Sequence, residues 1–234
     1  MQAMGDPQRA EIQMRFFKTG PGEYGEGDRF AGIPVPEIRK LAREYRDLPL
    51  PETIELLRSP LHEARLLALV ILVHYSDRGD EALRDRICRL YLDNTRFINN
   101  WDLVDVSAGQ IVGRALRHRS KAPLRRLAAS TLLWDRRIAI IATLDSIRQG
   151  EFSHTFEIAA LLRDDPEDLI HKAVGWMLRE VGKRDRAAEE EFLNAHCRQM
   201  PRTMLRYAIE KFPEELRLRY LKKITTAVPG SADS

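Results

Sequence analysis

The chain has 234 residues, 44% of them hydrophobic, with 38 Lys and Arg against 35 Asp and Glu for a formal charge of +3. That size supports one substantial core, and a single domain over residues 1–225 is expected, while the small charge excess and a pI of about 8.9 allow an anionic partner without demanding one. No apolar run approaches the roughly 18 residues of a membrane span, the start lacks the basic-then-apolar order of a signal peptide, and Cys88 and Cys197 form no CxxC or Cys/His cluster; a reducing cytoplasm is the expected compartment.

In chain order, Gly20-Pro21-Gly22-Glu23-Tyr24-Gly25 matches GxGxxG literally. No strand precedes it, and Glu23, Glu26 and Asp28 would repel a pyrophosphate, so it reads as a structural loop. Beyond it, strand signals are nearly absent and apolar residues recur at spacings of three and four, as in Leu66, Leu69, Val70 and Val73. Helices are expected to begin where Pro36, Pro51, Pro123, Pro166 and Pro201 fall in a first turn, with Asp165 as N-cap before Pro166 and Asp168 favoured by the helix dipole. Phe212 followed by Pro213 marks a stop and restart. Residues 226–234, rich in small side chains, read as a disordered tail.

Several helices look like copies of one another. Arg65 to Val73, Arg137 to Thr143, Lys172 to Arg179 and Arg206 to Phe212 each set a basic residue ahead of Ala68, Ala139, Ala173 or Ala208, the last three about 34 residues apart. Tetratricopeptide and ankyrin signatures are missing. The expected fold is therefore all-α, a right-handed solenoid of HEAT-like antiparallel helix pairs. Stacking would bring Arg137, Lys172 and Arg206, with Arg136, Arg179, Lys183 and Arg202 nearby, onto a concave basic groove suited to a phosphate backbone. For any one of these residues, plain solvation of a helix face explains the charge equally well.

The six histidines show no HExxH or other ligand spacing, so no metal is expected, and the lack of a GxSxG elbow removes the simplest hydrolase. The most informative segment is Asn99-Asn100-Trp101-Asp102-Leu103-Val104-Asp105. An Asn caps the helix, Asp102 lies in its first turn, and Trp101 and Asp105 fall four apart on one face, which stands an indole beside a carboxylate. Spacing alone favours Trp101 as core and Asp105 as partner to an Arg. Trp134 reads as packing, and Trp176 more often as core than as ligand-facing.

Asn100-Trp101-Asp102-Leu103-Val104-Asp105, Trp134-Asp135-Arg136-Arg137-Ile138-Ala139 and the run from His171 to Glu180 resemble the HEAT-like-repeat DNA glycosylases of the AlkD type. So does Gly25-Glu26-Gly27-Asp28-Arg29-Phe30-Ala31-Gly32-Ile33 with Pro36 and Arg39, and the likeness covers about Phe16 to Leu221. It implies a monofunctional enzyme of base-excision repair that hydrolyses the N-glycosidic bond of cationic N3- and N7-alkylpurines, 3-methyladenine and 7-methylguanine, in duplex DNA. It implies no cofactor, no metal and no membrane partner, with the chain acting as a monomer in the cytoplasm or on the nucleoid. Asp105 takes the catalytic role, Trp101 and Trp176 the aromatic walls, and Arg137 a DNA contact. Phe16 stands where the family carries an aromatic residue, often Tyr, in an early recognition helix; stacking survives there and the hydroxyl does not. Only about fifteen residues precede it, so an incomplete first helix is expected. With Lys172, Arg179 and Arg206 these complete the expected DNA-binding set. Relatives without the recognition segment imply the alternative, a non-catalytic HEAT-like protein that binds branched or distorted DNA. A protein–protein scaffold is a third reading, since many solenoids have that role.

Overall fold

The computed structural model describes residues 4–225, and the expected tail at 226–234 lies outside them. Among the described residues every regular element is helical, and the extended backbone contributes a single isolated bridge between Arg29 and Leu61. The all-α expectation holds. The chain divides into two compact units, one ending at His118 and the other starting at Arg119.

The first unit contains α1 (Pro7–Phe16), α2 (Val35–Glu44), α3 (Leu50–Leu57), α4 (His62–Arg78), α5 (Glu81–Leu92) and α6 (Trp101–Ala108). Its hub is α4, on which α2, α3, α5 and α6 pack. A helix surrounded on all sides must be apolar nearly all round. Accordingly Leu66 through Leu72 are all buried, and polar residues collect at the ends. The helix begun at Trp101 runs on through a wider π-type turn, Gly109–Gly113. Ser76 of α4 donates a hydrogen bond to the Gln110 carbonyl in that turn at 2.9 Å. Such turns leave the helical ladder interrupted, and an outside donor satisfies the freed oxygen.

The second unit contains α7 (Ala122–Ala128), α8 (Leu133–Ile141), α9 (Leu144–Arg148), α10 (Ser153–Leu161), α11 (Asp168–Gly182), α12 (Arg186–His196), α13 (Arg202–Ala208) and α14 (Glu214–Thr225). Here α11 is the hub, packed by α8, α9, α10, α12 and α13. It approaches α13 closely at Gly175, where an added Cβ would lie 2.4 Å from the Met204 carbonyl oxygen. Ala68, Ala139, Ala173 and Ala208, the shared position of the proposed copies, are all fully buried.

Two helix starts differ from expectation. The helix after Pro166 begins at Asp168 with Glu167 as cap residue, so Asp165 is not its N-cap. Asp165 instead accepts the Glu167 amide at 2.9 Å and pairs with Arg136 at 2.6 Å, because a guanidinium facing the turn is the stronger partner. Pro201 sits at the cap position of α13 rather than inside its first turn. The first helix is complete and capped: Asp6 accepts the amides of Gln8 and Arg9. Phe212 is extended between the turn Ile209–Lys211 and α14, as the Phe-Pro pair predicts.

Candidate functional site

In the first unit the candidate site is built around the start of α6. Asn100 is the N-cap, its side-chain oxygen accepting the Trp101 amide at 2.9 Å, and Trp101 and Asp105 lie one turn apart, both half-buried. Phe17 stacks on the indole at a centroid distance of 5.4 Å and 22° between planes, and Phe16 meets it edge-on at 6.0 Å. Phe16 closes α1 and is 62% exposed, so the aromatic group reaches from protein interior to solvent.

The glycine-rich loop holds α1 against α6. Glu23 and Glu26 accept the amides of Gly20 and Gly22 at 2.9 Å each, so the carboxylates that weigh against a phosphate site instead tie the loop together. Gly25 passes so near the end of α1 that an added Cβ would lie 2.3 Å from the Phe17 carbonyl oxygen and 3.3 Å from Asn100 Nδ2. Further on, the Glu63 carboxylate accepts the amides of Ala31, Gly32 and Ile33 at 2.8–3.2 Å. Gly32 has φ +81°, a conformation costly for other residues.

Beneath the aromatic group lies a buried ionic cluster. Asp28 is reached by Arg65 at 2.5 Å, by Asn99 and Asn100 through their amide groups, and by His62 Nδ1 at 3.0 Å. The other ring nitrogen, His62 Nε2, lies 2.9 Å from Asp102. Burial works against a charged Asp28, but the hydrogen bonds and charges of His62 and Arg65 outweigh it and bring its pKa down to about 2. Burial likewise opposes a charged His62, and the two carboxylates overcome it and raise its pKa above 6.5. The imidazole also stacks on Phe30 at 4.4 Å and lies 5.1 Å from Phe17, so cluster and aromatic group share a face.

The remaining expected site residues belong to the second unit. Trp176 on α11 donates its indole N–H to Glu180 at 3.2 Å, and Glu180 also holds Lys183 and Arg184. Lys172 pairs with Asp168 at 2.7 Å, Arg179 pairs with Glu210, and Arg206 is exposed. Lys172, Arg206 and Arg217 line a cavity of about 580 Å³ together with Asp168, Glu210, Thr203 and Tyr207. The surface position expected for Arg137 is not found. It is 5% exposed and donates to the Leu169 carbonyl at 2.6 Å, because that oxygen in the first turn of α11 faces α8 and draws the guanidinium inward.

Residues 1–212 match the family of DNA alkylation repair enzymes. The chain belongs to this family. A solved structure described as a "Predicted DNA alkylation repair enzyme from Enterococcus faecalis" is similar over 90% of this chain and 98% of that one, with a TM-score of 0.70 and 20% identity. At that identity the likeness is one of fold. No curated protein matches. Membership makes DNA repair the setting of this chain, and DNA its expected partner. The resemblance read from the sequence included Asp28 and Phe30 within a matching run, yet the bridging of Asp28 and Asp102 by His62 escaped it. The available signal was the position of His62 and Asp102 at the starts of two otherwise apolar helices.

Proposed function

We propose that this protein is a DNA glycosylase that releases cationic N3- and N7-alkylpurines from duplex DNA, with Asp105 as the catalytic carboxylate. The observation that carries the reading is the pairing, on one face of α6, of a half-exposed indole braced by Phe17 with a carboxylate one turn away. An alkylated purine already carries a positive charge and departs without protonation. Glycoside hydrolases commonly need a second carboxyl to protonate a poor leaving group, and here that need falls away. Asp105 stabilises the positive charge developing on the sugar and orients water toward it. Trp101 favours the cationic base over a neutral one by roughly 0.5–2 kcal/mol of cation–π attraction. Phe16, exposed at the end of α1, supplies a stacking surface for the duplex. The lesion is handled at the DNA surface, without enclosure in a deep pocket.

In the second unit, Arg206 and Lys172 are the expected phosphate contacts and Trp176 an aromatic contact to DNA, while Arg137 acts by holding α8 to α11. The test is release of 7-methylguanine from methylated duplex DNA. Wild type releases the base, and Asp105→Asn lowers the rate by at least about 100-fold with DNA affinity retained. A wild-type protein that binds DNA and releases nothing would make it a non-catalytic binder; preference for uracil would overturn the charge argument.

A further inference from the structure

His62 places both ring nitrogens opposite carboxylates, Asp28 at 3.0 Å and Asp102 at 2.9 Å. A neutral imidazole has one N–H and one lone pair, so it satisfies one carboxylate and turns its lone pair on the other. Both contacts are attractive only when the ring carries both protons. The Asp28 end is firmly fixed by Arg65, Asn99 and Asn100. The Asp102 end is not: its Oδ1 is buried without a hydrogen-bond partner among the described residues, so His62 supplies the hydrogen bond that holds this carboxylate. Asp102 follows Trp101 in the first turn of α6, and Phe17 contacts both the imidazole and the indole, 5.1 Å from one and 5.4 Å from the other. The charged groups facing the ring are Asp28 from the loop, Asp102 from α6 and, through Asp28, Arg65 from α4; Phe30 stacks on it and Phe17 lies beside it.

We propose that His62 is a positioning residue which, doubly protonated, bridges Asp28 to Asp102 and thereby holds Trp101 in place, so that losing one proton releases the Trp101 end of α6. The consequence for base release rests on the reading of Trp101 as part of the site; the movement of Trp101 does not.

The test uses the full chain carrying Trp134→Phe and Trp176→Phe, which leaves Trp101 as the single tryptophan. Its emission, followed from about pH 5 to about pH 9 with the fold monitored by circular dichroism, is expected to change with one midpoint above that of a free histidine. His62→Gln removes the transition. Asp102→Asn removes it too, because the amide donates to an unprotonated Nε2 and the bridge no longer requires the second proton. A flat titration, or an unchanged midpoint in Asp102→Asn, overturns the proposal, and that arm stands even if His62→Gln does not fold. Where the wild-type chain releases base, its rate falls by up to about tenfold per pH unit above the same midpoint, and Asp102→Asn in the wild-type background extends activity to higher pH. Absence of base release by the wild-type chain, with the emission transition intact in the single-tryptophan chain, refutes the glycosylase reading and leaves the positioning role standing.

Discussion

Glu189 is 1% exposed, and its Oε1 has no hydrogen-bond partner among the described residues. Burial, reinforced by Glu190 and opposed by Arg179 and Arg186, pushes its pKa from 4.5 up to about 8. The folded protein therefore keeps a proton that the unfolded chain releases. Stability falls as pH rises between those two values, by up to about 1.4 kcal/mol per unit. Glu189→Gln removes this contribution: urea denaturation at about pH 5 and about pH 8 shows a smaller loss at high pH in the variant than in wild type. An equal slope in both would discard the assignment. At Gly32, φ is +81° and an added Cβ would lie 2.1 Å from the Asp6 carbonyl oxygen. Gly32→Ala is expected to cost more than about 2 kcal/mol in chemical denaturation, through backbone strain and loss of the α1 attachment. Glu189 did not stand out in the sequence, since one Glu of three in a charged helix carries no sign of what faces it, and Gly32 was read only as part of the run that resembles the family.

Among the elements, α4 and α6 meet through charges rather than through apolar packing alone. Arg65 is 5% exposed and its guanidinium is held by Asp28, so Asp28→Asn leaves a buried cation underpaired and should destabilise by about 3 kcal/mol or more. The pH dependence has two edges. Asp28, with its lowered pKa, contributes stability that is present above its ordinary value of 3.8 and is lost as pH falls toward about 2. His62, with its raised pKa, contributes stability that is full below 6.5 and is lost as pH climbs through its folded value. Thermal unfolding across that range should show both edges in wild type and a smaller alkaline one in His62→Gln. The helices themselves were legible from periodicity and proline punctuation, and the Asn100 cap with Trp101 and Asp105 on one face was read correctly. The ionic cluster was not, because its members come from residues 28, 62, 65 and 102, and local spacing holds no record of a contact across such separations.

For the molecule as a whole, the alanines read as one shared position are all buried, while the cations ahead of them differ in setting. Ala139, Ala173 and Ala208 all serve as the small residues of a packed face, yet the basic residues ahead of them pass from buried Arg137 through ion-paired Lys172 to exposed Arg206. A repeat aligns backbone positions, while partners differ from copy to copy. This separates two substitutions that the sequence treats alike. Arg206→Ala should weaken duplex binding, reduce the slope of log affinity against log salt by about 1 and leave stability within about 0.5 kcal/mol. Arg137→Ala should cost about 1–3 kcal/mol of stability by stripping the Leu169 carbonyl of its charged donor. Filter binding at several salt concentrations, alongside urea denaturation, checks both.

Asp28 accepts from His62, Arg65, Asn99 and Asn100 at once. Effects of substitution within this group will be strongly epistatic: once Asp28 is gone, a second change at His62 or Arg65 costs far less than it does in wild type. The four partners are therefore expected to evolve as a block, exchanged together or retained together, and an engineer wishing to re-aim Trp101 must redesign that block rather than the tryptophan alone.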